Sequence, residues 1–290
     1  MTKNHPPNDT ITFLGTGGAR FMIYSQTLAT GGLWLNLKGT QFLVDPGPGC
    51  IVQTRKQELT PEKLSGIIVS HRHLDHSADV NIMVEAMTQA GCNQHGLLFA
   101  PSDALDTDPI ILSDLRNLLN GIEVLKTGGK YTIGDVSFTT PVRHIHGVET
   151  YGFVFNTDQY SISHITDTYF FDGLSEHYAC DLLLLNVVFA KPPDFTGNNT
   201  NQLLRNNSVN SGSERIIDKT SLPIDHLSVT DAECLIREIQ PKVAILTHFG
   251  ILMWRANPTT IAKHLTKKTG VRVIAATDGM TFALSELFNN

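Results

Sequence analysis

Residues 70–79 read SHRHLDHSAD and place His71, His73, Asp75 and His76 within six positions. The chain holds only 12 histidines in 290 residues, so three in so short a span is a cluster that composition does not predict. Neutral imidazoles with a carboxylate suit a divalent transition metal, zinc first, with iron or manganese as rivals. On an extended segment His71 and His73 point the same way and can reach one ion. Asp75 and His76 then lie where the chain turns into a helix and could serve a second. Four ligands from one loop do not satisfy two ions, so the fold must bring others from distant strands. A polar loop with histidines by chance is the bland alternative, and it would be preferred for a single His.

The surrounding pattern is α/β. ITFLG (11–15) reads as a buried strand entering the glycine turn of GTGGA, and LWLNLKG and TQFLVD follow as strands. GIIVS leads into the ligand loop and a helix over about 77–90, and a second helix is expected over roughly 111–120. Further strands are read in IEVLK, VSFTT, TYGFVFN and YSISHIT, and CDLLLLNVVF is short enough to be a strand buried on both faces. Residues 191–225 are rich in Asn, Ser, Thr, Gly and Pro and read as a long surface loop, a candidate lid. Ser228, with Asp231 three residues on, caps a helix to about Gln240 that leads into the strand KVAILTH. GIIVS-His71 and VAILT-His248 match each other: an apolar strand, a small hydroxyl residue, then a histidine.

Charge and cysteine content narrow the partners. With net charge −6 and no long Lys/Arg run, the broad basic footprint of a duplex-binding protein is absent. Cys50, Cys92, Cys180 and Cys234 form no CxxC pair, which argues against a zinc ribbon and for reduced, mostly buried thiols. No signal peptide or membrane-length apolar run is read, so a cytoplasmic protein with no membrane partner is expected, as one domain over 1–290. A homodimer is among the assemblies left open.

The HxHxDH element resembles the signature of the metallo-β-lactamase superfamily. The resemblance continues in order through FLGTGGA, FLVDPGPG with Asp45, HGVETYGF with His146, ITDT with Asp167, PIDHLS with His226, ILTHFG with His248 and VRVIAATDGM. It implies a four-layer αββα sandwich of two facing sheets with helices outside. One ion would be held by His71, His73 and His146 and the other by Asp75, His76 and His248, with Asp167 bridging. His226 would be a catalytic histidine outside the ligand set, and Asp75 would count with it in the catalytic machinery. His144, which shares a strand face with His146, is read as structural; His164 as a core or supporting histidine; Asp45 as a support held by hydrogen bonds.

Two ions sharing a hydroxide make hydrolysis the default chemistry. GTGGA, HGVxxYGF, xDT, DHLS and LTHF look most like the phosphodiesterase group of the superfamily, its ribonuclease Z-like branch. Only 20 residues lie between His146 and Asp167, too few for the long tRNA-gripping arm of many tRNA-processing relatives. A small nucleotide or cyclic phosphodiester is therefore the favoured substrate. RNA, as for a tRNA 3′-processing endonuclease, is the first alternative; a lactonase and a non-catalytic metal-binding protein follow. Where the tRNA enzymes carry a HEAT-like segment, this chain has LLNVVF with Asn186, which leaves the partner of His226 open.

Overall fold

The computed structural model describes residues 9–191 and 226–288. Among them, fourteen strands form two seven-stranded sheets. The first contains β1 (Thr10–Phe13), β2 (Leu33–Leu37), β3 (Thr40–Val44), β4 (Leu64–Ile68), β5 (Leu97–Pro101), β6 (Gly121–Leu125) and β14 (Thr281–Ala283), in the order β14-β1-β2-β3-β4-β5-β6. The second contains β7 (Gly129–Ile133), β8 (Val136–Thr140), β9 (Phe153–Asn156), β10 (Ser161–Ile165), β11 (Leu182–Asn186), β12 (Val243–Thr247) and β13 (Arg272–Ala275), in the order β13-β12-β11-β10-β9-β8-β7.

Side-chain alternation builds the layers. Leu182 and Leu184 of β11, with Val243 and Ile245 of β12, join Ile11, Phe13, Leu35 and Phe42 of the first sheet in the core between the sheets. Their neighbours Leu183, Leu185, Ala244 and Leu246 face outward and pack with Leu235, Ile236 and Leu265 of helices Val229–Ile239 and Pro258–Thr269. On the other flank Trp34, Leu43 and Ile67 meet Val80, Met83, Val84 and Met87 of helix Val80–Met87. The LLLLN run is thus apolar at consecutive positions because both faces of its strand are covered. Aromatic rings fill the inter-sheet core, with Phe42 and Phe155 centroids 5.3 Å apart and Phe99 and Phe138 5.1 Å apart. Truncating a leucine of this core, Leu184→Ala for example, costs about 2–5 kcal/mol. The expected αββα sandwich is what the chain forms.

Ser228 and Asp231 form a full capping box, which fixes the start of helix Val229–Ile239 where the sequence places it. Three expectations need correction. The helix of 77–90 is two pieces, Leu74–Ser77 and Val80–Met87. Residues 111–120 hold one 3₁₀ turn, Leu115–Leu118, because the Asn81 side chain bonds both the Ile110 carbonyl and the Leu112 amide and pins the segment before a helix can propagate. The thiols are not mostly buried: Cys50 is, but Cys92 is exposed in the turn after helix Val80–Met87, and Cys180 and Cys234 are half-buried. Among the described residues no helix is long and apolar enough to cross a membrane. The candidate lid, apart from Lys191, lies outside the described residues.

Strands β3 to β6 run parallel, as do β10 to β13. Loops at the carboxyl ends of such strands are where α/β folds bind ligands. His71 follows β4, Asp167 follows β10 and His248 follows β12, so both sheets deliver chemistry to one edge of the sandwich.

Candidate metal centre

Asp45 leaves β3 with φ 55° and His248 leaves β12 with φ 59°, left-handed conformations that are uncommon for residues with side chains and that concentrate at functional sites. Both turns aim a side chain inward. Asp45 Oδ2 sits 2.8 Å from His76 Nδ1 and also accepts from Ser70 Oγ, whose oxygen lies 3.0 Å from His71 Nδ1. The Ser70 amide donates to Asp45 Oδ1 at 2.6 Å. With protons on the two Nδ1 atoms, Asp45 orients His76 directly and His71 through Ser70, leaving both Nε2 lone pairs free. That is the supporting role read from the sequence.

The donors converge in three overlapping groups. His71, His73 and His146 form one; Asp75, His76, Asp167 and His248 a second; His146, Asp167 and His226 a third, with ligand atoms in each group within 4.8 Å of one another. His73 Nδ1 is 3.0 Å from both His71 Nε2 and His146 Nε2. In the second group His248 Nε2 lies 2.9 Å from His76 Nε2 and 3.3 Å from Asp75 Oδ2, and Asp167 Oδ2 is 3.2 Å from His76 Nε2. With its Nδ1 proton held by Asp45, the neutral His76 ring would turn its Nε2 lone pair to the cluster. So many lone pairs and carboxylate oxygens facing one another is the chemistry of a cation site, and the cluster is suited to binding metal ions. His146, not His144, reaches it; the expected shared strand is absent, since both residues lie in the loop between β8 and β9.

The electrostatics favour the metal-binding form of two of the rings, and on His76 a cation would have to displace a proton. Burial pushes the His71 ring well below its ordinary range, with His76 adding to the effect. Burial, then His146, pushes His73 down to about 4. Both rings are neutral at pH 7, the form that binds a metal. Burial works the same way on His76, but the carboxylates of Asp167, Asp45 and Asp75 outweigh it and raise that ring well above its usual value. Burial would raise Asp167 and Asp75 too; His248, His226 and His76 overcome it for Asp167, and His76 and His248 for Asp75, so both stay ionised.

His226 Nε2 lies 2.9 Å from Asp167 Oδ2, the partner that the sequence left open. Among the described residues its Nδ1 has no hydrogen-bond partner. Asn186 does not serve His226: its Nδ2 donates to Asp167 Oδ1 at 2.9 Å, and its Oδ1 lies 3.1 Å from His164 Nε2. His144 is buried, with Tyr178 Oη 2.6 Å from Nε2 and the Asp167 carbonyl 3.1 Å from Nδ1, so it braces the Asp167 backbone. The GTGGA turn is scaffolding: the Ala19 amide donates to Asp75 Oδ2 at 2.8 Å, and Gly18 leaves room for the His248 ring, which a Cβ there would meet at 2.2 Å. Sequence reasoning gave no role to Asp278, which lies in VRVIAATDGM and ties Thr16 and Ala29 together from the far end of the chain, or to Tyr178, which carries no local signal.

Residues 40–249 match the beta-lactamase superfamily domain model. An uncharacterised protein of Methanocaldococcus jannaschii is 28% identical over 282 residues, 94% of each chain. The ribonuclease Z of Borreliella afzelii is 28% identical over 127 residues, which span 42% of this chain but 35% of that enzyme. Among solved structures, the metallo-beta-lactamase fold protein YhfI of Bacillus subtilis superposes with a TM-score of 0.71 at 20% identity, over 95% of this chain and 99% of that one. With its sequence matching that family's model over most of its length and its fold agreeing, the chain belongs to the metallo-β-lactamase superfamily of metal-dependent hydrolases.

Proposed function

We propose that the chain is a phosphodiesterase acting on a small nucleotide or cyclic phosphodiester with two divalent ions, zinc being the ion this donor set suits best. The observation that carries the reading is the position of Asp167, whose Oδ2 lies within 3.8 Å of His71 Nε2, 3.2 Å of His76 Nε2 and 2.9 Å of His226 Nε2. One carboxylate thus adjoins both ligand groups and the proposed proton donor. His71, His73 and His146 would hold one ion; Asp75, His76 and His248 the other; Asp167 would serve both. Two such ions would activate a water and neutralise charge on a phosphoryl oxygen. The chain's own residues supply the rest: Asp45 and Asn186 fix ligand orientation, and His226 Nε2 holds the proton that a departing alkoxide needs.

A tRNA 3′-processing endonuclease is the second reading, favoured by the likeness to ribonuclease Z. Against it, the interval between His146 and Asp167 is taken up by β9, β10 and their short connections, with no insertion to grip a large RNA. Metal-loaded protein assayed on linear and cyclic nucleotide diesters, phosphomonoesters, lactones and precursor tRNA tests the choice. The small diesters should give the highest kcat/KM; precursor tRNA or a lactone in first place would overturn the proposal.

A further inference from the structure

The three histidines of the first ligand group come from two loops, one after β4 and one before β9. One backbone bond, from the Tyr151 amide to the Ser70 carbonyl at 3.2 Å, joins these loops beside His71, and their imidazoles must hold a fixed spacing. A third segment, one with no ligand of its own, spans them. It follows β5 and winds as a π-helix over Asp103–Thr107, closed by the Asp108 amide on the Asp103 carbonyl at 2.9 Å. Such wider turns are rare and recur at functional sites.

Asp103 Oδ2 accepts two hydrogen bonds. One comes from Nε of Arg72, the residue between His71 and His73, at 3.1 Å; the other from the amide of Glu149, three residues after His146, also at 3.1 Å. The contact is returned from the other side, because Glu149 Oε2 accepts from Ser102 Oγ at 2.6 Å. We infer that Asp103 is a positioning residue, a single carboxylate oxygen that, together with the Tyr151–Ser70 backbone bond, sets the separation of the His71–His73 loop from the His146 loop and so tunes the three-histidine group for its ion. The inference rests on the metal-centre reading above and not on the identity of the substrate.

Stability alone is a poor account of this arrangement. Arg72 and Asp103 side chains are 30% and 21% exposed, and an ion pair so placed contributes little to folding. Among the described residues Asp103 Oδ1 is buried with no hydrogen-bond partner, an arrangement that costs folding energy and calls for another reason. Asp108 also binds Arg72, through Nη1 at 2.7 Å, but does not reach the His146 loop. It provides the control.

Metal-stripped protein is titrated with Co²⁺ against a chromophoric chelator, and the visible spectrum reports each binding event. Asp103→Ala should weaken one event by about 10–100-fold, as loss of a residue supporting metal ligands does, and leave the other within about threefold. Asp103→Asn, which keeps an acceptor in place but loses the charge on Arg72, should show a smaller loss in the same event, and it carries the test if the alanine variant does not fold. Asp108→Asn should leave both events unchanged. Equal weakening of both events, no weakening, or an equal effect of Asp108→Asn would overturn the assignment. A wild-type protein that takes up both ions but cleaves no phosphodiester would overturn the substrate reading and leave this one standing.

Discussion

Asn186 donates its side-chain amide to Asp167 Oδ1 at 2.9 Å while Asn186 Oδ1 is held by His164. The neutral residue is a physical requirement of that place, since a carboxylate there would put two buried negative charges within hydrogen-bond distance.

Asn186→Asp should therefore introduce a pH dependence that the wild type lacks. Repulsion and burial raise the folded-state pKa of the new carboxylate above its unfolded value. A group shifted that way is tolerated below its unfolded pKa and destabilises as pH rises through the folded one. Thermal melts of the metal-free variant should approach wild type near about pH 5 and fall behind it toward about pH 8. A constant difference across that range would mean that residue 186 does not sense Asp167.

Gly18 lies against the His248 ring, where a methyl group would come within 2.2 Å of Cε1 and Nδ1. Gly18→Ala should turn that ring away and lower metal affinity by at least roughly tenfold, read by chelator competition. Gly147 follows His146 directly but has open space where a Cβ would go, so Gly147→Ala should bind metal as wild type does. Equal behaviour of the two variants would remove the steric argument.

Asp167→Ala removes the carboxylate that adjoins both ligand groups. Metal content should drop and turnover on any accepted substrate should fall by at least about 100-fold, with the circular dichroism spectrum retained. Near wild-type turnover would show that Asp167 is no ligand.

Much of this site was legible in the sequence because four of its candidate ligands stand within six positions and Asp167 and His248 each follow an apolar strand, while His146, in a loop, was reached only through the family resemblance. The sandwich was legible for a related reason: runs such as LLLLN are apolar at consecutive positions only when both faces are covered. Side-chain contacts between segments distant in the chain were not. Nothing in LLNVVF points Asn186 at Asp167, and nothing near Asp103 announces that it lies between the loops of His71 and His146. The strand Gly129–Ile133 escaped notice because it lies at a sheet edge and its side chains are mostly half-buried or exposed, so its alternation is weak. The misread helix at 111–120 shows the converse, a periodic pattern overridden by the Asn81 side chain.

His226 carries the most exposed prediction. Its Nε2 contacts Asp167 Oδ2 at 2.9 Å, its ring centroid is 5.1 Å from that of His146, and it stands next to the ligand groups of both proposed ions. Such a ring can either ligate a metal or hand a proton to the leaving group, and the two roles separate by experiment. A proton donor matters in proportion to the basicity of the departing oxygen, and its contribution is about 10²–10⁴ in rate. A nitrophenolate departs readily without help; a ribose alkoxide does not. His226→Ala should keep the full metal content, lose most of its rate on a nucleotide diester and lose far less on bis(p-nitrophenyl) phosphate. Equal losses on both substrates with full metal content would assign His226 to phosphate binding or to structure. Loss of one ion would make it a ligand, and the proton for the leaving group would then have to come from elsewhere.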